Sequence, residues 1–251
     1  MEHILSTFII PSSIDTLVCI GEMAHGELIS WPLRYKSVKH YSDKKEKVVV
    51  LLENANFYVH CKKFKSQGVF YPFLIDLANM THEHYKWTRM FFDLKHVEFI
   101  GIDIQALDMD VNPADYTVFV SKYKSEWDKA KNTELRGCTR NFLNAKIMHD
   151  IVSDPKYSAH KKFYFAHNEH IAKSCTNSRN DINYKTDVAC MKEFGMKTLS
   201  IGTYAKSCMN MWQGHMETTK STRLNMNRKS DFDVLYTRDE REDRMEHMTL
   251  L

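Results

Sequence analysis

Glu22 and His25 stand three residues apart in the string Gly21-Glu22-Met23-Ala24-His25-Gly26. A carboxylate close to an imidazole orients the ring and raises its basicity, which is what a general base for water requires. Gly21 and Gly26 are expected to supply turn conformations closed to other residues. His167 and His170 repeat the three-residue spacing in His167-Asn168-Glu169-His170. A helix starting near Asn168 would put both rings on one side of its first turn, where they could face one ligand. Glu53 directly follows the apolar run Val48–Leu52, and Arg34 lies nine residues beyond His25. Taken singly, each of these residues reads as a cap, a solvated loop residue or a hydrogen-bonded structural histidine. Gathered in one place they would make a polar site able to activate water or face one ligand. The same set, Glu22, His25, Glu53, His167 and His170, could instead hold a divalent metal such as Zn or Mn.

What would gather them is a sheet. Short apolar, β-branched runs recur at Thr16–Ile20, Val48–Leu52, Val97–Ile104, Lys162–Ala166 and Thr198–Thr203, and a last one at Phe232–Tyr236 precedes a charged tail over Thr237–His247. They read as buried strands. Between them, Trp31–Tyr41, Glu83–Leu94 and Asn141–Val152 have the mixed character of amphipathic helices. Alternating strands and helices predict an α/β fold with a mainly parallel β-sheet flanked by helices on both faces. No internal repeat or composition break divides residues 1–251, so a single domain is expected. The polar stretch Thr176–Tyr184 reads as an exposed loop. In a parallel sheet, ligands bind beyond the carboxyl ends of the strands. There the first four runs lead into Glu22, Glu53, Asp103 and His167.

Composition narrows the class further. The chain has 251 residues and is 43% hydrophobic, enough for a substantial core. Its 35 basic and 32 acidic residues leave a net charge of +3, spread along the chain, which argues for neither nucleic acid nor an anionic membrane as partner. Six cysteines carry no C-x-x-C pair and several sit in apolar runs, as expected of free thiols in a reducing compartment. Met1–Ser13 lacks a basic leader region, and no apolar run reaches membrane-spanning length, so a cytoplasmic protein is expected. Without a Gly-x-Ser-x-Gly elbow the serine route of the α/β-hydrolases has no obvious nucleophile.

With these residues in view, the chain resembles the erythromycin esterase family, which includes succinoglycan biosynthesis-related proteins. The resemblance rests on Ile20-Gly21-Glu22-Met23-Ala24-His25-Gly26, Arg34, Leu52-Glu53, Phe99-Ile100-Gly101-Ile102-Asp103 and Phe165-Ala166-His167-Asn168-Glu169-His170-Ile171, in that order. Thr198-Leu199-Ser200-Ile201-Gly202 and Asp231-Phe232-Asp233-Val234-Leu235-Tyr236 are similar to that family's last two strands. The resemblance implies a shortened member that hydrolyses a small-molecule ester or lactone without a cofactor. It makes His25 the general base, with Glu22, Arg34, Glu53, His167 and His170 around it; in that arrangement Glu22 or Glu53 supports the base, and Arg34 or a protonated His167 or His170 supplies the positive group for the developing oxyanion. Two departures follow from the sequence. Only Ala106–Thr139 separates Asp103 from Arg140, where family members carry a large helical insertion, and Arg140-Asn141 stands where the family often has Arg-Asp. Erythromycin itself is therefore not assigned as substrate, and the oligomeric state is left open.

Other features are read blandly. Thr81-His82-Glu83-His84 has histidines two apart, which diverge on a helix, so a capped helix start is expected there. Lys36, Lys39, Lys44, Lys45 and Lys47 read as a solvated face, and the tryptophans as core, with Trp31 a candidate cleft wall. A shortened family member that keeps the site only for ligand binding or interaction remains a third class. Against it, unpaired buried ionisable groups cost several kcal/mol that drift would relieve.

Overall fold

A computed structural model of the chain describes residues 14–22, 30–53, 90–91, 93–108, 118–173, 178–179, 182–183, 185–204, 207–212, 215–220, 232–238 and 246–250. Its strands are β1 (Thr16–Glu22), β2 (Val48–Leu52), β3 (Val97–Gly101), β4 (Lys161–His167), β5 (Ser178–Arg179), β6 (Ile182–Asn183), β7 (Lys197–Tyr204), β8 (Ser207–Trp212), β9 (His215–Lys220), β10 (Val234–Arg238) and β11 (Glu246–Leu250). Seven of them form one sheet in the order β11-β10-β7-β1-β4-β2-β3. Within it β1, β2, β3, β4, β7 and β10 are mutually parallel and β11 runs antiparallel beside β10.

The strands are apolar on both faces because helices cover both. Leu17 and Cys19 of β1, Val49 and Leu51 of β2, and Tyr164 and Ala166 of β4 point into one core. Val18, Ile20, Val48, Val50, Phe163 and Phe165 point into the other. Helix α1 (Ser30–Asp43) covers the second face with Leu33, Val38 and Tyr41. The first face is covered by α2 (Lys124–Ala130), α3 (Arg136–Ser153), α4 (Asn168–Ile171) and α5 (Asp187–Glu193), which bury Trp127, Leu143, Ile147, Ile151, Ile171, Val188 and Met191. Trp127 has no exposure, and its indole N–H donates to Asp108 at 2.9 Å, so it is core with its polar edge satisfied.

This architecture has a topological switch point, the place in a parallel sheet where a ligand site is expected. The chain leaving β1 passes to the α1 face, whereas the chain leaving β4, its neighbour, passes to the α4 and α5 face. Adjacent strands whose connections diverge leave a gap at their carboxyl ends, and β4 lies between β1 and β2.

The expected strands are present, most of them with shifted ends, and so are the helices expected at Trp31–Tyr41 and Asn141–Val152. β1 continues through Gly21 to Glu22 because its parallel ladder with β4 runs on to the pair Glu22 and His167. β3 stops at Gly101: Asn144 Oδ1 takes the Ile104 N–H at 2.9 Å and Asp103 takes that of Gln105 at 3.1 Å, drawing Ile104–Asp108 into a 3-10 turn. Phe232 precedes β10 rather than joining it, its ring lying over Gly202. Three ladders went unforeseen. Ser178–Arg179 pairs with Ile182–Asn183 inside the expected loop, β8 pairs with β9, and the end of the charged tail supplies part of β11. An edge strand has one neighbour and tolerates charges that would disqualify a central one. Most of Glu83–Leu94, and all of Thr81–His84, lie outside the described residues.

No helix among the described residues is long and apolar enough to cross a membrane. Among the described residues, Cys19 is a buried free thiol and Cys138 a half-buried one.

Candidate functional site

The parallel register alone sets Glu22, His167 and Glu53 side by side. Glu22 and His167 end β1 and β4 as direct partners, and Glu53 N donates to Phe165 O at 3.0 Å one residue past β2. Asp103, two residues past β3, completes the row. His25, three residues past Glu22, lies outside the described residues.

On the α1 side, Arg34 braces that row. Its Nη1 donates to Glu22 Oε2 at 3.1 Å, and Nη2 donates to Ile20 O at 3.1 Å and Ala166 O at 3.0 Å, tying the ends of β1 and β4 together. The guanidinium lies over the Phe165 ring at 5.1 Å. Expected as a cation for an oxyanion, Arg34 has three of its donor contacts committed to Glu22 and backbone carbonyls, an arrangement that orients Glu22. Trp31 packs edge-on to Phe91 at 5.7 Å and belongs to the core beneath α1.

On the other side a second set of charges meets around Arg140, in the second turn of α3. Arg140 Nε and Nη2 form a fork on Asp103 at 3.1 and 2.7 Å, and Nη2 also donates to Glu53 Oε1 at 2.9 Å. His170 Nε2 approaches the same Glu53 oxygen at 2.9 Å, while its Nδ1 lies 3.2 Å from Asp187 Oδ1. Asp187 is fully buried and also accepts from Tyr164 Oη at 2.5 Å. The other oxygen of Glu53 accepts from His167 N at 2.8 Å. Three carboxylates thus enclose two cations. Burial opposes the charge on His170, but Glu53 and Asp187 outweigh it and push the imidazole pKa up to about 10. Burial likewise opposes the Arg140 charge and is outweighed by Asp103 and Glu53, so its pKa is raised.

The two histidines therefore do not face one ligand as a pair. His167 is the N-cap of α4, its Nδ1 accepting from Glu169 N at 3.2 Å, whereas His170 turns inward to Glu53 and Asp187. The proposed metal set fits poorly for the same reason. Glu53 and His170 are bound to each other and Glu53 also holds a guanidinium, so a metal ion would have to displace both cations. Among the described residues no group of three or more His, Cys, Asp or Glu side chains is arranged to hold a metal.

Gly21 owes its place to space, not to a turn. It lies within β1, and among the described residues the positive φ of glycine occurs at Gly195. A Cβ on Gly21 would meet Asn168 Oδ1 at 1.9 Å. Asn168 reaches across that gap to Thr203 of β7, accepting from its N–H at 3.2 Å and donating to its carbonyl at 2.7 Å, and Thr203 Oγ1 donates to Gly21 O at 2.8 Å. This clasp fixes α4, and with it His170, over the end of β1. Gly21→Ala is expected to break it and cost about 2 to 3 kcal/mol from overpacking and lost hydrogen bonds. An unchanged urea midpoint in that variant would show the clasp to be dispensable.

Arg140, Asp103, Asp187 and Tyr164 were not among the residues assigned to the site from sequence. Asp103 could have been added as a strand-end carboxylate. Asp187 announces only a helix start: Thr186 caps α5 by accepting from Ala189 N at 3.0 Å, and Asp187 follows in the first turn. Asn141, the departure beside Arg140, faces away from the site and donates to Lys185 O at 2.9 Å.

No protein-family model and no curated protein matches the chain. Among solved structures, a mutant of the erythromycin esterase EreC in its open conformation superimposes with a TM-score of 0.55 at 10% identity, covering 83% of this chain and 77% of that one. A Bacillus cereus protein (TM-score 0.49, 18% identity, 89% and 76% covered) and a succinoglycan biosynthesis protein (0.48, 15%, 82% and 71%) also match, at scores that add no weight. At such identities the likeness is one of architecture: the chain is an α/β protein with the fold of erythromycin esterase EreC.

Proposed function

We propose that the chain is a hydrolase in which His25, supported by Glu22, takes a proton from water as the water attacks the carbonyl of a small ester or lactone. The observation that supports this reading is the row of Glu22, His167 and Glu53 at the carboxyl ends of β1, β4 and β2, with Arg34 bound to Glu22 and with Arg140 and His170 bound to Glu53; His25 follows Glu22 by three residues in the sequence. Their roles divide by their contacts. Arg34 holds Glu22, and Glu22 orients the base. Arg140 and His170 neutralise Glu53 and hold its carboxylate at a set position on the rim. The proton taken by His25 then passes to the departing alkoxide, which leaves as the alcohol. A cytoplasmic setting, where thiols stay reduced, belongs to the same reading, and Cys19 packs as a small buried hydrophobe in the core.

A panel of small activated esters and lactones, assayed before and after chelation, tests the reading. Turnover is expected, and it should survive chelation. Loss on chelation with recovery on adding Zn or Mn would transfer the role to a metal. Saturable binding without turnover would make the chain a ligand-binding module.

A further inference from the structure

We infer that Asp187 is a positioning residue of the strand-end row: through His170 it holds Glu53, and with Glu53 the Arg140 guanidinium, in place. The inference deepens the hydrolase reading and rests on it only for its kinetic consequence.

His170 lies between two carboxylate oxygens, Glu53 Oε1 at 2.9 Å from Nε2 and Asp187 Oδ1 at 3.2 Å from Nδ1. A neutral imidazole has one N–H and one lone pair, so it can donate to only one of them and turns its lone pair on the other. Only the imidazolium satisfies both. Arg140 donates to the same Glu53 oxygen through Nη2 and brings its Nη1 to 3.4 Å from His170 Nε2; with Nε2 donating to Glu53 at 2.9 Å, that approach sets two cations against one shared anion. The groups facing His170 are Glu53 past β2, Asp187 on α5 and Arg140 on α3, with Tyr164 of β4 and Asp103 past β3 behind Asp187 and Arg140. The raised pKa of His170 agrees with this charge balance. With both nitrogens committed, His170 is unsuited to take a proton during turnover. It acts as a fixed counter-charge whose ring plane, set from two sides, stops the Glu53 carboxylate from rotating.

Asp187 is itself anchored without reference to any ligand. Thr186 Oγ1 donates to Ala172 O at 2.5 Å, joining the start of α5 to the end of α4, and Tyr164 Oη donates to the second Asp187 oxygen at 2.5 Å. Position therefore passes from the core through Asp187 to His170 and on to Glu53.

Side-chain ¹⁵N NMR of histidine-labelled full chain at pH 9, between the two expected titrations, with His170 assigned through His170→Gln, reads this without substrate. The wild type is expected to show both His170 nitrogens protonated. In Asp187→Asn the ring should become neutral, its pKa falling by about 2 units as one of two anions is removed. Tyr164→Phe, which leaves the Asp187 charge, should keep the imidazolium pattern. On an ester that the wild type hydrolyses, Asp187→Asn should lower kcat about 10- to 100-fold with KM within about 2-fold, and bring in a new alkaline limb at lower pH. A neutral His170 in the wild type overturns the inference, and that spectrum decides even where Asp187→Asn does not fold. So does an imidazolium that survives Asp187→Asn. A protein showing the expected spectra but no ester turnover overturns the hydrolase reading and leaves the positioning role standing.

Discussion

Glu53→Gln is expected to destabilise the chain by about 3 kcal/mol at neutral pH, read as a fall in the urea midpoint. The side chain is 7% exposed and carries one oxygen shared by Arg140 and His170 and another bonded to His167 N. Removing one partner from a buried ion pair costs about 3 to 5 kcal/mol, because the remaining charge stays buried. Here the loss belongs at the low end of that range, since Arg140 keeps Asp103 and His170 keeps Asp187. Glutamine preserves the size of glutamate, but whichever way its amide faces, an NH₂ meets a donor: the two cations on one side or His167 N on the other. The pH dependence gives a second reading. The pKa of His170 is raised from its ordinary 6.5 to about 10, so its ion pairs stabilise the fold fully below pH 6.5 and the contribution disappears as pH rises through 10. Glu53→Gln should flatten that alkaline loss by lowering the folded-state pKa. Equal midpoints for wild type and variant at pH 7 would mean that Glu53 is not the centre of the cluster.

The fold was legible because its strands are buried on both faces and so read as unbroken apolar runs. Val48–Leu52 needed no adjustment at either end. What the local pattern could not supply was the extent of pairing. Gly21 and Glu22 read as the start of a turn, and only the register with Ala166 and His167 shows that they are strand. The outer ladder was hidden for another reason: Glu246–Leu250 lies beside one neighbour and follows a charged stretch.

The site divides along the same line. Glu22, Glu53 and His167 were found because each ends or immediately follows a strand, and His170 because it stands three residues past one, so position in sequence translated directly into position on the rim. Arg140 and Asp187 occupy helices, where an arginine or a first-turn aspartate reads as solvated surface or a favourable helix end. Their partners lie far along the chain: Arg140 and Glu53 are 87 residues apart. Such a pairing exists only once the sheet has formed. The resemblance pointed at Arg140-Asn141 as a missing carboxylate, yet the arginine of that pair is the hub and Asp187 provides a buried carboxylate to the cluster.

The same division decides which histidine can do chemistry. His170 is held as a cation by two anions, and the Nδ1 of His167 is engaged in capping α4, so His25 is the remaining histidine of the set with the resemblance behind it. His25→Asn is therefore expected to lower kcat on a small activated ester by about 10² to 10⁴, the range typical of acid–base catalysis, while KM changes little. Asparagine keeps a hydrogen-bonding group near the position of Nδ1 but cannot accept a proton at neutral pH, so the loss should fall on chemistry and not on binding. Glu22, held by Arg34 at 3.1 Å, stays in place whatever stands at position 25, and folding should be unaffected. An intact protein with undiminished turnover would show that His25 is not the base. Release of a bound metal ion by the substitution would instead make it a ligand. If the loss appears in KM alone, the residue binds substrate and the water must be activated elsewhere, with Glu22 the next carboxylate to test by the same assay.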